Sequence, residues 1–358
     1  MKWAFVAGGT GGHIYPAIAI ADYLRSNQLA QDIVFLTTEK KLDQEIIKNA
    51  GYTFYPMSGS GFNQAGILQK LKSLLGFAKI FFKSRHLIKK HQFDCVMGTG
   101  GYMSAPVLWA AHLAKKITAT LEPNVVVGLS NKWVSSFVNK VFFAFEESKK
   151  YLDKKNCVFS GNPIRQSILN IAPPQNKTKK ICVMVFGGSQ GAKQINDLLI
   201  EAMPHLDENQ EQVYFVHQTG KHGYEDVLKT YQKYNIEHEV HEYIYDIAKA
   251  YAQADIIIGR AGSSVLEIAA CGRPSILIPY PYAADNHQQE NAAVMEKNNA
   301  AYVLTGEKID IHQFVSCLKD LIVNQEKREM LKKGALRLRH DQAAQTIVNL
   351  LMQEGKHA

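Results

Sequence analysis

Lys2-Trp3-Ala4-Phe5-Val6-Ala7 runs without a break into Gly8-Gly9-Thr10-Gly11-Gly12-His13, and Met184-Val185-Phe186 runs likewise into Gly187-Gly188-Ser189-Gln190-Gly191-Ala192. An apolar strand that feeds a glycine-rich turn and then a helical pattern is the opening of a βαβ unit, so the chain carries two such openings. Outward from the first, strands are expected at Lys2–Ala7, Asp32–Leu36, Asp94–Met97, Ile117–Leu121 and Lys140–Ala144. Outward from the second they are expected at Ile181–Phe186, Gln212–His217, Asp255–Gly259 and Ser275–Pro279. Between the two series, Ala172-Pro173-Pro174-Gln175-Asn176-Lys177-Thr178 has the composition of a linker. The expectation is an α/β protein of two Rossmann-like, doubly wound domains. Residues 1–165 form the first and 166–340 the second, and 341–358 form a C-terminal helix that packs back on the first.

At 358 residues, with 46% hydrophobic and 21% charged side chains, the chain has the balance of an ordinary globular protein, which excludes disordered and collagen-like classes. Its cysteines, Cys95, Cys157, Cys182, Cys271 and Cys317, are widely spaced and form no C-x-x-C pair, so reduced thiols in a cytoplasmic compartment are expected. The apolar start is cut short by Gly8 and Gly9, unlike a signal peptide, and no run is long enough to span a membrane. Charge is uneven. Residues 1–165 hold 21 Lys and Arg against 10 Asp and Glu, whereas 166–358 hold 20 against 23. Within 61–120, nine basic side chains face the single acid Asp94, a local field that attracts an anionic surface.

The glycine turns sit where chemistry collects in open α/β sheets, at the carboxyl edge of the strands. In Gly8 to His13 the glycines let a ligand approach the amides, and the helix that follows, with Pro16 expected in its first turn, adds a favourable dipole for an anion. The spacing is neither the dinucleotide G-x-G-x-x-G nor a P-loop. A tight turn without a ligand is the plainer alternative. His13 closes this loop, and its imidazole suits a general base or a cap. Thr99-Gly100-Gly101-Tyr102 follows another strand, and Gly187 to Ala192 places Ser189 where a phosphate would sit. Arg260-Ala261-Gly262-Ser263-Ser264-Val265-Leu266-Glu267 offers two hydroxyls and several amides to a diphosphate. Glu267 either answers the helix dipole or accepts bonds from vicinal sugar hydroxyls. The stretch from Pro279 to Asn291, with Gln288 and Gln289, is dense in groups that read sugars. No Asp-x-Asp occurs, so a metal-independent reaction is expected, with amides and dipoles neutralising a leaving diphosphate.

In order along the chain, GGTGGHIYPAIAIA at 8–21, GTGGYMSAP at 98–106, Asn124, NKW at 131–133, GNPIR at 161–165, GGSQGA at 187–192, and RAG followed by Glu267 resemble one family. It is the membrane-associated N-acetylglucosaminyltransferases of bacterial peptidoglycan synthesis, the MurG family. The resemblance implies a GT-B architecture, two domains facing a central cleft. It implies inverting transfer of N-acetylglucosamine from UDP-N-acetylglucosamine to the C4 hydroxyl of an undecaprenyl-linked muramyl-peptide, lipid I to lipid II. It implies no cofactor, and proteins of cell-wall synthesis as partners. By the same resemblance Thr10, Gly11, Gly12, Asn124, Arg165, Ser189, Ile244 and Gln288 touch the donor, with Ile244 gripping uracil through its backbone and Glu267 the ribose. His13 is the base. Gly100, Gly101 and Tyr102 are expected at the acceptor diphosphate. Arg260 to Glu267 is one residue shorter than the family form and Pro279 to Asn291 one longer, which leaves Gln288 and Gln289 as alternatives.

Leu68, Leu71, Leu74, Leu75, Ala78, Phe81 and Phe82 recur at helical spacing, with Phe77 and Ile80 beside them and lysines around. A basic amphipathic segment of this kind suits docking on the anionic cytoplasmic face of the inner membrane, although a crossover helix buried in the core reads alike. Two other functions fit parts of the pattern, a UDP-N-acetylglucosamine epimerase and a non-catalytic nucleotide sensor at the membrane. A dehydrogenase lacks its fingerprint, and nucleic-acid binding has only net charge in its favour.

Overall fold

The computed structural model describes residues 1–59, 67–171, 180–188 and 191–356, and within them the side chains of all but 67–72 and 207–208. The linker expected at 172–178 lies outside the described residues. The chain divides into two compact units, residues 1–165 with 340–358, and residues 166–339.

The first unit contains β1 (Lys2–Val6), β2 (Asp32–Thr38), β3 (Thr53–Met57), β4 (Cys95–Gly98), β5 (Ile117–Glu122), β6 (Lys140–Phe143) and β7 (Cys157–Phe159). They form one parallel sheet in the order β3-β2-β1-β4-β5-β6-β7. A parallel sheet is covered on both faces, which is why its central strands read as unbroken apolar runs. Alternation along β1 shows the two layers. Trp3 and Phe5 join Ile14, Phe35, Met97 and Phe142 on one face, while Ala4 and Val6 join Val34, Leu36, Ile80, Leu87 and Val96 on the other. The C-terminal helix Ala343–Glu354 buries Ile347, Val348 and Leu351 in the first of these layers.

The second unit contains β8 (Ile181–Phe186), β9 (Val213–Gln218), β10 (Glu237–His241), β11 (Ile256–Gly259), β12 (Ser275–Leu277) and β13 (Ala301–Val303), again all parallel, in the order β10-β9-β8-β11-β12-β13. Val183, Val185, Phe215, Ile256 and Ile258 pack there against Ile195, Leu199, Phe314 and Leu318.

Strand order reverses between β1 and β4 in one sheet and between β8 and β11 in the other. Crossover helices leave a crevice at such a switch point, outside the carboxyl ends of the strands. The glycine turns after β1, β4 and β8 and the Arg260 loop after β11 therefore lie at the two places where this fold holds ligands.

The expected apolar stripe divides. In the helix Ile67–His91, Leu74, Leu75 and Phe82 are exposed, Phe77, Ala78 and Phe81 are half-buried, and Ile80 is buried in the core. Leu68 and Leu71 fall among the side chains not described. The half-buried rings meet others: Phe81 lies 5.0 Å from Trp109, Phe77 lies 5.9 Å from Trp133, and Trp133 lies 5.2 Å from Phe137. The helix thus uses one side as a crossover element and leaves another uncovered. Among the described residues no helix is long and apolar enough to cross a membrane.

Candidate active site

At the first switch point the helix Gly11–Ser26 starts earlier than its sequence implies. Gly11 and Gly12 are helical, so His13 lies in the first turn rather than at the end of a loop, and Pro16 lies beyond that turn. Thr10 is the exposed residue before the helix, and its carbonyl accepts the His13 and Ile14 amides at 3.2 and 3.3 Å. The first turn carries no acidic side chain to compete for an anion. The Gly9 amide is already spent inside the protein, donated at 2.7 Å to the buried carboxylate of Asp43, which Thr38 also holds.

His13 Nδ1 lies 2.6 Å from the Thr99 carbonyl, and the Thr99 hydroxyl donates back to the His13 carbonyl at 2.6 Å. These two bonds lock the turns after β1 and β4 together. Gly100 is required for the fit: its φ is +101°, and a Cβ there would stand 2.7 Å from the His13 ring. Gly101 gives its carbonyl to the Ser130 hydroxyl at 3.2 Å. The Tyr102 hydroxyl donates to the Gly59 carbonyl at 3.0 Å, and burial, with Asp43 and Glu39 adding to it, pushes this phenol up, so it stays neutral.

Asn124 is positioned by the buried Glu122, whose carboxylate accepts the Asn124 amide and side chain, both at 3.1 Å, and the Gly128 amide and Asn131 side chain, both at 2.9 Å. Arg165 lays its guanidinium 3.9 Å above the ring of Tyr15, on the helix that carries His13. The structure therefore gathers His13 with Gly100 and Gly101, and Arg165 with the His13 helix.

At the second switch point Ser189 lies outside the described residues. Gly188 gives its carbonyl to Gln218 Nε2 at 2.8 Å, and Gln218 Oε1 accepts the Ile244 amide at 2.7 Å. Val265 and Leu266 turn their amides inward, onto the Gly262 and Ser263 carbonyls at 3.1 and 3.4 Å, and both side chains are buried. Gly262, Ser263 and Ser264 stay half-exposed ahead of the helix Val265–Ala270. Glu267, in the first turn of that helix, accepts from the Tyr251 hydroxyl at 3.4 Å.

Arg260 ties its own loop to the helix Lys193–Ala202 and to the turn after β12. Its Nη1 donates to Gln194 at 2.7 Å, to the Ile278 carbonyl at 3.0 Å and to the Pro279 carbonyl at 3.3 Å. Gln288 and Gln289 part company here: Gln288 is half-buried and accepts the Tyr280 amide at 2.9 Å, while Gln289 is exposed. Asn291, fully buried, donates to the Ala261 carbonyl at 3.1 Å and so anchors the helix His287–Lys297 to the Arg260 loop. Asp43, Glu122, Gln218 and Asn291 carry no role in the sequence reading.

The comparisons agree across both units. Residues 3–143 match the glycosyltransferase family 28 N-terminal domain and 182–347 its C-terminal domain. A Geotalea uraniireducens protein, the UDP-N-acetylglucosamine–N-acetylmuramyl-(pentapeptide) pyrophosphoryl-undecaprenol N-acetylglucosamine transferase, is 36% identical over 99% of this chain and 98% of its own. The crystal structure of Acinetobacter baumannii MurG superposes with a TM-score of 0.76 at 26% identity, over 99% of this chain and 100% of that one. A UDP-N-acetylglucosamine 2-epimerase structure shares the fold, with a TM-score of 0.73 at 12% identity over 99% of this chain and 97% of its own.

Proposed function

This chain belongs to the MurG family of N-acetylglucosamine transferases, within glycosyltransferase family 28, and from that membership we infer its reaction. It transfers N-acetylglucosamine from UDP-N-acetylglucosamine to the C4 hydroxyl of the muramyl sugar on a pentapeptide-bearing pyrophosphoryl-undecaprenol, lipid I to lipid II, with inversion. The epimerase likeness concerns the fold alone.

The observation that carries the mechanism is the 2.6 Å contact between His13 Nδ1 and the Thr99 carbonyl. A carbonyl only accepts, so Nδ1 holds the ring proton, and in the neutral imidazole Nε2 holds the lone pair. We assign Nε2 as the base. It takes the proton of the acceptor hydroxyl as that oxygen bonds to C1 of the donor sugar, and the C1–O bond to the diphosphate breaks with its electron pair leaving on UDP. Gly100, Gly101 and the neutral phenol of Tyr102 are assigned to the acceptor's pyrophosphate.

For the donor, Ser189, Gly262, Ser263 and Ser264 are assigned to the diphosphate, with Val265 and Leu266 holding that turn from behind. Glu267 is assigned to the ribose, the Ile244 backbone to uracil, and Gln288 or Gln289 to the sugar. Thr10, Gly11, Gly12, Asn124 and Arg165 are the donor-contacting residues of the first unit. Hydroxyls, amides and Arg165 then stabilise the charge that grows on the leaving UDP.

We place the enzyme peripherally on an anionic membrane, at its cytoplasmic face. Support comes from the exposed Leu74, Leu75, Phe82, Leu113 and Leu129, the partly exposed Trp109 and Trp133, and the excess of lysine in the same stretch of chain.

Incubating the protein with radiolabelled UDP-N-acetylglucosamine and a short-chain lipid I analogue, with and without EDTA, tests the reading. Label in a lipid-linked disaccharide, matched by UDP release in both conditions, is expected. Conversion of the nucleotide sugar to its 2-epimer without lipid-linked label contradicts it.

A further inference from the structure

The turn after β2 closes a circuit of hydrogen bonds around Gly9. The Lys40 amide donates to the Thr38 hydroxyl at 3.2 Å, and that hydroxyl donates to the carboxylate of Asp43, buried in the first turn of the helix Lys41–Asn49. The same carboxylate oxygen accepts the Gly9 amide at 2.7 Å. Lys40 Nζ completes the circuit from the solvent side, donating to the Gly9 carbonyl at 3.1 Å. The circuit stands beside the residues assigned to the acceptor's pyrophosphate. A Cβ on Gly101 would lie 3.4 Å from the Gly8 carbonyl, and the carboxylates of Asp43 and Glu39 are near enough to Tyr102 to add to the rise of its phenol.

We propose that Lys40 binds the acceptor's pyrophosphate, with Thr38 and Asp43 as the positioning residues that set its turn against Gly9. The proposal rests on the reading above that places this pyrophosphate at Gly100, Gly101 and Tyr102. Those three residues bring no positive charge, whereas a pyrophosphate esterified at both ends carries a negative charge on each phosphate. The carboxylates of Asp43 and Glu39 and the outward dipole of the Gly9 carbonyl repel such an anion. Lys40 reverses the sign at the point where the repulsion begins. Its ammonium covers the Gly9 carbonyl with one of its three N–H groups and brings a full positive charge to the same spot. The pyrophosphate stays intact while the C4 hydroxyl reacts, so this contact is held alike in the ground and transition states. Its loss therefore appears in the Michaelis constant for the acceptor rather than in kcat.

Steady-state kinetics of the full chain with UDP-N-acetylglucosamine and a short-chain lipid I analogue, free of vesicles, read the two substrates separately. Lys40→Gln is expected to raise the acceptor KM about tenfold, the scale of a hydrogen bond to a charged group, with kcat and the KM for UDP-N-acetylglucosamine unchanged. Lys40→Arg keeps the charge and is expected to stay within about twofold of the wild type. An unchanged acceptor KM in Lys40→Gln, equal losses in both variants, or a loss confined to UDP-N-acetylglucosamine overturns the proposal. So does a Lys40→Gln protein with wild-type kinetics and weakened binding to anionic vesicles, which puts the ammonium on lipid headgroups instead. A second acceptor, with an uncharged linker in place of the pyrophosphate, separates the proposal from the reading beneath it. Wild type is expected to use that acceptor far more weakly, and Lys40→Gln to discriminate less between the two. A wild type that uses both equally overturns the pyrophosphate assignment and the proposal together. Discrimination as strong in Lys40→Gln as in the wild type overturns the proposal alone.

Discussion

Glu122 and Gln218 occupy equivalent places, each the last residue of an interior strand, each 3% exposed, each fastening the loops at its sheet's carboxyl edge. They do it with opposite chemistry. Glu122 gathers N–H donors onto a carboxylate, whereas Gln218 gives one bond and takes one. The pattern extends beyond the pair. Among the described residues the buried carboxylates are Asp43 and Glu122, both in the first unit, which also buries Asn131 and Asn162, while the second buries Asn196, Asn209, His217, Gln218 and Asn291 and no carboxylate. A fixed negative charge about 6 Å from a phosphate costs roughly 3 kcal/mol at an effective dielectric of 20. A unit that holds a nucleoside diphosphate is better strapped by carboxamides. The first unit, to which the base and the acceptor's pyrophosphate are assigned, has a surplus of 21 basic over 10 acidic side chains in residues 1–165 that offsets the charge of its buried carboxylates.

The largest effect expected from this division is on chemistry. His13→Ala should lower turnover by about 10²–10⁴-fold and remove the acid limb of the pH–rate profile, as for loss of a positioned base. Near wild-type turnover at every pH would make His13 a structural link between its turn and Thr99. Next in size, Glu122→Gln sets an NH2 among the donors that the carboxylate now accepts, and should lower the unfolding free energy by about 2–4 kcal/mol in urea titrations. An unchanged midpoint would show that the carboxylate does not organise that edge.

The second unit responds to acid through a different group. His217 is fully buried against Tyr231 at 2.8 Å and Asn196 at 3.2 Å, and burial pushes its imidazole down from 6.5 to about 3. Its folded state holds it neutral, so the stability it contributes is complete above pH 6.5 and is lost as the pH falls from 6.5 toward 3. Denaturation at pH 6.5 and pH 5 should therefore differ by about 2 kcal/mol from this residue, a difference that His217→Gln removes. A variant as acid-sensitive as the wild type would remove His217 from the account. The smallest effect is at the surface: Phe82→Ser should weaken binding to anionic vesicles about fivefold, near 1 kcal/mol, and leave turnover of a soluble acceptor unchanged. Unchanged vesicle binding would take the Ile67–His91 helix off the membrane.

Central strands and glycine turns were legible in the sequence because both are local signals, a continuous apolar run and a break in it. The strands that escaped, β3, β7, β10 and β13, are the edges of the two sheets. Edge strands are paired on one side only, so Thr53–Met57 tolerates Pro56 and Glu237–His241 is mostly polar, and neither reads as a strand. The bond between His13 and Thr99 was not legible, since the two residues are 86 positions apart. Asp43 and Gln218 were hidden for the same reason, as their bonds to Gly9, Gly188 and Ile244 span 34, 30 and 26 positions. The apolar stripe left two readings open because helical spacing marks an apolar face without saying which of its residues the core takes. Ile80 went inward and Phe82 stayed out.

The assignment of His13 to the acceptor and of Glu267 to the donor is tested most directly by titrating UDP into His13→Ala and Glu267→Ala side by side. The account predicts that His13→Ala binds UDP as the wild type does, and that Glu267→Ala, stripped of its bonds to the ribose, binds about tenfold more weakly or worse. Equal weakening in both variants, or a Glu267→Ala protein with wild-type affinity, would contradict it.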